Sequence, residues 1–120
     1  MEEARQPFAD DPLAVRARRL IELRRLRARF VPAVLFGEPG WDMLVSAFVA
    51  AREGRAVNVK ALVASAGAPA TTAQRWIEHL DRLGLVQRLV DPLDRRRAEI
   101  SLTAAGERAV AGYLSAAWGG

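Results

Sequence analysis

The sequence predicts a mainly α-helical domain that carries one small β-hairpin. Apolar residues recur at spacings of three and four along several segments, which is the periodicity of an amphipathic helix. Near the C-terminus, two short segments with the composition of strands, LVQRLV and RAEISL, flank a turn that begins with Asp91 and Pro92. Helices should therefore make up most of the fold, and the hairpin should follow them along the chain.

Length and composition limit the class of protein. The chain has 120 residues, which suits one domain, and 51% of them are hydrophobic, which is enough for a buried core. Cysteine is absent, so disulfides and thiolate metal sites are excluded. No apolar stretch is long enough for a membrane span, and the N-terminus lacks the apolar stretch of a signal peptide. We therefore expect a cytoplasmic protein.

The charge balance indicates a polyanionic partner. The net charge is +4, the sequence pI is about 10.9, and all basic residues except Lys60 are arginine. Such an excess favours nucleic acid or an anionic membrane surface as the partner. The positions of the arginines must decide between these two.

The N-terminal part is predicted to be a flexible arm, residues 1–11, followed by a helix at about 12–31. Asp11 can cap this helix and Pro12 suits its first position. Arginines cover much of its surface, and solvation, contact with nucleic acid and membrane-surface binding all remain open for them. Its apolar stripe consists of Leu13, Ala17, Leu20, Leu23, Leu26 and Phe30.

Two further helices are predicted at about 41–54 and 59–66, with a short strand at 55–57 between them. Gly54 can close the C-terminus of the first of these helices, and Gly67 can stop the second. The face of the longer helix that should be buried consists of Leu44, Ala47, Phe48 and Ala51.

The segment ATTAQRWIEHLDRLG, residues 70–84, is predicted to be a helix with one packed and one polar face. The short break GAP separates it from the preceding helix, so the two helices form a helix-turn-helix. The packed face consists of Ala73, Trp76, Ile77 and Leu80. The opposite side consists of Thr71, Arg75, Glu78 and Arg82, with Gln74 and His79 at its edges.

The hairpin comes directly after this helix, which makes the fold a winged helix-turn-helix flanked by N- and C-terminal helices. Thr103 can cap the last helix, at about 104–118. Three consecutive arginines, Arg95, Arg96 and Arg97, are then predicted at the tip of the wing. Their charges repel one another unless an anion comes to meet them.

Around the wing, the sequence resembles the MarR family of bacterial transcription regulators. The family's wing pattern is D-P-x-D-R-R, five residues, L-T, two residues and G. The matching residues here are Asp91, Pro92, Asp94, Arg95, Arg96, Leu102, Thr103 and Gly106. We therefore expect an N-terminal helix and linker at 12–40, the winged helix-turn-helix DNA-binding domain at 41–106 and a short C-terminal helix at 107–120.

The resemblance implies sequence-selective binding of double-stranded DNA. Arg96 is the wing residue expected to enter the minor groove, beside Arg95 and Arg97 and braced by Asp94. Lys60 and Arg88 could each neutralise a phosphate. The residues expected to reach base edges or phosphates in the major groove are Thr71, Thr72, Gln74 and Arg75.

Members of the family pair through terminal helices, so the resemblance also implies a homodimer. A small-molecule effector is compatible with the sequence, and no cofactor is implied. Catalysis is not expected, because the sequence has no Cys nucleophile, no His-based triad and no phosphate-binding glycine loop. The alternative function is a winged-helix module that binds protein, or that binds nucleic acid without sequence preference.

Overall fold

The computed structural model describes residues 11–28 and 39–117. Within these ranges the predicted winged helix-turn-helix with flanking helices is confirmed. The elements in chain order are α1 (Pro12–Ala28), α2 (Pro39–Arg52), β1 (Val57–Asn58), α3 (Val59–Ser65), α4 (Ala70–Arg82), β2 (Val86–Asp91), β3 (Asp94–Leu102) and α5 (Ala104–Ala117). The predicted arm, except Asp11, and the linker up to residue 38 lie outside the described residues. None of the helices described is both long and apolar enough to cross a bilayer.

Helix α2 forms the centre of the fold. It contacts α1, α3, α4, α5 and β3, so it is surrounded on several sides. Leu44, Ala47 and Phe48 are buried as predicted, but Ala51 is exposed and the prediction for this residue was wrong. A helix enclosed by others buries residues around most of its circumference, which a single-face pattern does not anticipate. The additional buried residues are Gly40, Met43, Val45, Val49 and Ala50.

Helix α1 buries only part of its predicted stripe. Ala17 is fully buried, and Leu20 is partly buried against the core. Leu23 and Leu26 are 39% and 46% exposed, so within the single chain only part of the stripe is packed in the core. Helix α1 packs against α2 and α5, and Leu23 and Leu26 lie on the part of its surface that these neighbours leave exposed. Phe30 lies outside the described residues.

Two arginines of α1 are held by ion pairs with α2 or the residue after it. Arg18 pairs with Glu53, and Nη2 of Arg24 lies 2.8 Å from Oδ2 of Asp42. All four side chains are mostly buried, so both ion pairs belong to the packing between α1 and α2. Part of the positive charge of α1 is therefore used within the fold, which favours a structural role over membrane-surface binding.

Arg52 links the start of α1, the end of α2 and the start of α5. Its guanidinium contacts Asp11, at 2.6 Å, and Glu107. Burial raises the pKa of the Asp11 carboxyl, but hydrogen bonds from Arg52 and from the backbone N–H of Leu13 outweigh it, so the pKa is lowered from 3.8. A carboxyl whose pKa is lowered by folding stabilises the fold at pH values above its unfolded-state pKa. That contribution is lost as the pH falls through its folded-state pKa. Asp11 should therefore help to fasten these helices near neutral pH.

The three strands form one antiparallel sheet in the order β1-β3-β2. Val57 of β1 pairs with Ile100 of β3, and Val86 of β2 pairs with Leu102. Val86 and Ile100 are buried, so the base of the hairpin belongs to the core. The predicted short strand is confirmed, although it lies at 57–58 instead of 55–57. This anchored base fixes the direction in which the wing projects.

Candidate nucleic-acid interface

Helix α4 begins with an N-terminus that no side chain caps. The N-cap residue is Pro69, and the first helical hydrogen bond runs from the N–H of Ala73 to the carbonyl oxygen of Pro69, at 2.9 Å. The first turn contains no acidic residue. Backbone N–H groups and the helix dipole favour an anion at such an end, so this end of α4 suits a phosphate.

The predicted two faces of α4 are confirmed by its burial. Ala73, Ile77 and Leu80 are buried against the core, and Trp76 is partly buried. The residues of the first two turns that lie outside this packed face are exposed, and they include Thr71, Thr72, Gln74 and Arg75. These side chains carry the donors and acceptors that can bind base edges or phosphates. The structure thus presents the predicted major-groove residues together on one outward surface.

A close contact sets how α4 lies against α2. A Cβ atom at Gly40 would lie 2.6 Å from the ring of Trp76, so only glycine permits this approach. The ring of Trp76 also meets His79 edge-on, with centroids 5.5 Å apart. Trp76 therefore fixes the outward face of α4 relative to the central helix.

The two isolated basic residues predicted to meet phosphates flank α4 along the chain. Lys60 is exposed on α3, whose N-terminus is capped by Asn58 through a 2.6 Å hydrogen bond from the N–H of Ala61. Arg88 is exposed on β2, opposite Ile100. One positive charge therefore precedes α4 along the chain, and another follows it.

At its tip, the wing differs from the sequence-based prediction. Asp91 pairs with Asp94 across the residues Pro92 and Leu93, whereas Val90 pairs with Ala98. Residues 95–97 therefore lie in β3 between the paired positions Asp94 and Ala98, where they form a bulge. The sequence-based prediction places them in the turn itself. Proline favours the second position of a tight turn, which lets the two aspartates pair and leaves the extra residues in the strand.

The side chains of these three arginines lie outside the described part of the chain. Asp94 is described, and it is partly buried at the start of β3. Its role in bracing Arg96 stays a prediction.

The base of the wing is joined to α5 by Thr103. The hydroxyl of Thr103 donates to the carbonyl oxygen of Gly84, at 2.6 Å, and accepts from the N–H of Gly106, at 3.0 Å. The N–H of Thr103 donates to the carbonyl oxygen of Leu85, at 3.1 Å. The sequence predicted the cap of α5 but not the link to Gly84, because that partner lies far away along the chain. The L-T-x-x-G part of the wing pattern thus has a structural explanation in this chain.

A cleft of about 970 Å³ lies between α1, α2 and α3. Its wall is largely apolar, with Leu20, Trp41 and Val45 among its residues, and Arg24 and Asp42 also line it. A space of this size and character can hold a small molecule. A small-molecule effector nevertheless stays a prediction.

No protein-family model matches the sequence, and neither does any curated protein. Solved structures do match. MepR of S. aureus in its DNA-binding conformation is 20% identical with a TM-score of 0.58, and the match covers 76% of this chain and 61% of that protein. This chain therefore spans less than two thirds of the length of that MepR chain.

Two structures determined with DNA also match. The S. aureus MepR–DNA complex is 20% identical with a TM-score of 0.54, and 78% of this chain and 69% of that one are covered. A mutant of MarR from E. coli, complexed with operator DNA, is 20% identical with a TM-score of 0.52. This match covers 89% of this chain and 69% of the MarR chain. The chain thus has the winged-helix fold that MepR and MarR have.

Proposed function

We propose that this protein is a transcription regulator of the MarR type that binds double-stranded DNA with sequence selectivity. The observation that carries the proposal is the exposed surface of α4, where Thr71, Thr72, Gln74 and Arg75 are all exposed and the packed face of the same helix is buried. The likeness of the fold to MepR and MarR, which were both determined with DNA, supports the same function.

In this proposal the N-terminal half of α4 lies in the major groove. A helix fits that groove, and its first turns reach the base edges. Arg75 can make paired hydrogen bonds with guanine, and Gln74 can do so with adenine. Thr71 and Thr72 lie nearest the uncapped N-terminus, where a backbone phosphate would be favoured. Glu78 is exposed one turn beyond Arg75 and would repel phosphate, so the contact should end there.

The wing would contact the neighbouring minor groove. Gly84, with φ of 77°, makes the turn that leads from α4 towards β2, so the wing lies beside the recognition helix. Arg96 would enter the groove, where a narrow A·T-rich segment concentrates negative potential. Lys60 and Arg88 would bind phosphates at the rims, and they would supply affinity without sequence preference.

We further propose that the protein acts as a homodimer through α1 and α5. Leu23 and Leu26 of α1 and Tyr113 of α5 are large apolar side chains that the single chain leaves exposed. Pairing two copies through these helices would bury them and would place two recognition helices on a roughly palindromic site.

Light scattering should therefore show a dimer at micromolar concentration, and Leu26→Asp should shift it towards monomer. The matched control is Leu83→Asp, which changes an exposed leucine at the end of α4. We expect the control to remain dimeric. A monomeric wild-type protein would refute pairing in solution.

The function itself is tested by selecting bound sequences from random duplex DNA with the purified protein. We expect one preferred and roughly palindromic sequence. Enrichment of no particular sequence, despite binding, would favour the non-specific alternative. Absence of any duplex binding would favour a protein-binding module.

Two variants, Arg75→Ala and Lys60→Ala, distinguish contacts with bases from contacts with phosphates. Arg75→Ala should relax the preference at one or two positions of the selected site, because base contacts carry sequence information. Lys60→Ala should weaken all duplexes about equally and lower the salt slope by about one unit. The measurement is the affinity of each variant for the selected site, its single-base variants and a random duplex, over a range of salt. A uniform loss for Arg75→Ala, with every base preference intact, would contradict readout by α4.

A further inference from the structure

The tip of the wing exposes an apolar side chain. Leu93 is the second residue of the two-residue turn between β2 and β3, and it is 95% exposed. Turns of this kind favour Gly, Pro, Asn, Asp and Ser, so a leucine is unusual at this position. So little of Leu93 is covered that its side chain adds almost nothing to the core.

Other apolar residues near the wing tip are also exposed, although Leu89 and Val90, as neighbours in one strand, point to opposite faces of the sheet. Leu89 and Val90 of β2 are 46% and 51% exposed, and Pro92 is exposed in the turn. Arg88 is exposed on the same strand, and residues 95–97 bring three further arginines into the adjoining bulge. Pro92 and Leu93 thus form the turn between Asp91 and Asp94, and arginines precede and follow this segment within a few residues along the chain.

This combination fits the minor groove of a DNA duplex. The phosphates at the rims of the groove attract basic residues, while the deoxyribose groups along its walls offer C–H surface to an apolar side chain. Proteins that bind the minor groove often combine arginine with an inserted apolar residue, leucine and proline among them. A purely polar anionic partner would leave the exposed leucine in water.

We propose that Leu93 enters the minor groove together with the wing arginine and packs against the deoxyribose walls. The inference rests on the proposed DNA-binding function, and it adds an apolar contact to it. Burial of an apolar side chain releases no counterions from the DNA, so the contribution of Leu93 should be independent of salt. An arginine contact, in contrast, weakens as salt rises.

The test compares Leu93→Ser with Leu83→Ser, measured on the sequence selected by the wild-type protein. Leu83 is also strongly exposed, at 57%, but it lies at the C-terminal end of α4 and away from the wing tip. Leu93→Ser should weaken binding about 5- to 10-fold for each wing engaged, which corresponds to burying roughly half of a leucine side chain. Its salt slope should equal that of the wild type, and Leu83→Ser should bind as the wild type does. Leu93→Met should retain most of the affinity.

Unchanged affinity of Leu93→Ser would overturn the inference, as would an equal loss for Leu83→Ser. A loss that comes with a lower salt slope would also overturn it, because the effect would then be electrostatic. If Arg96→Ala weakens binding while Leu93→Ser does not, the DNA-binding function stands and only the apolar contact is wrong. If the wild-type protein binds no duplex, the proposed function fails as well. Far-UV circular dichroism checks that each variant is folded.

Discussion

Replacing Gly106 with alanine should lower the free energy of unfolding by about 2 kcal/mol, within the range of 1–3 kcal/mol that overpacking costs. A Cβ at this position would overlap the carbonyl oxygen of Leu85 and lie 2.8 Å from Cδ1 of Leu102. The backbone at Leu85 cannot yield easily, because the same carbonyl oxygen accepts from the N–H of Thr103. The strain should therefore open the junction between α5 and the base of the wing.

The matched control for this change is Gly112→Ala in the same helix. No atom beyond the helix's own backbone and adjacent residues lies within 4 Å of a Cβ at Gly112. Alanine favours a helix over glycine by up to about 1 kcal/mol, so this variant should be as stable as the wild type or more so. Urea unfolding followed by circular dichroism measures both. If both changes destabilise the protein equally, any alanine in α5 would have this effect, and the role of the contact with Leu85 would be contradicted.

Arg96→Ala should weaken DNA binding by about 1–3 kcal/mol for each wing, and by about twice that for a dimer with both wings engaged. The loss should be larger on sites with A·T-rich flanks, because the arginine would recognise the width of the groove. The salt slope should fall by about one unit for each wing. Titration with flanks of different A·T content, at several salt concentrations, measures both effects.

Arg108→Ala provides the control for the loss of charge. Arg108 is an exposed arginine on α5 that lies outside the proposed DNA-binding surface. It is about 140° around the helix from Tyr113, the α5 residue of the proposed dimer interface, so its removal should change binding little. Equal losses for Arg96→Ala and Arg108→Ala would indicate that overall charge governs binding. Unchanged affinity of Arg96→Ala on an A·T-rich site would contradict its place in the minor groove.

The sequence by itself determined the order and type of the elements and their caps. Asp11 accepts from the N–H of Leu13 at 3.0 Å, and Asn58 and Thr103 cap α3 and α5. The exposed polar face of α4 also follows from the sequence, because a buried stripe at helical spacing leaves the opposite side to solvent. These features depend on residues a few positions apart, so a local pattern contains them.

The tertiary structure alone decided which surfaces are covered and which distant groups meet. The exposure of Ala51 and Leu26 depends on where neighbouring helices lie, and the pairing of Arg24 with Asp42 joins two helices. The bulge at residues 95–97 depends on the register between two strands. The hydrogen bond from Thr103 to Gly84 closes a long loop of chain. Each of these depends on packing between segments far apart along the chain, which periodicity and capping patterns do not encode.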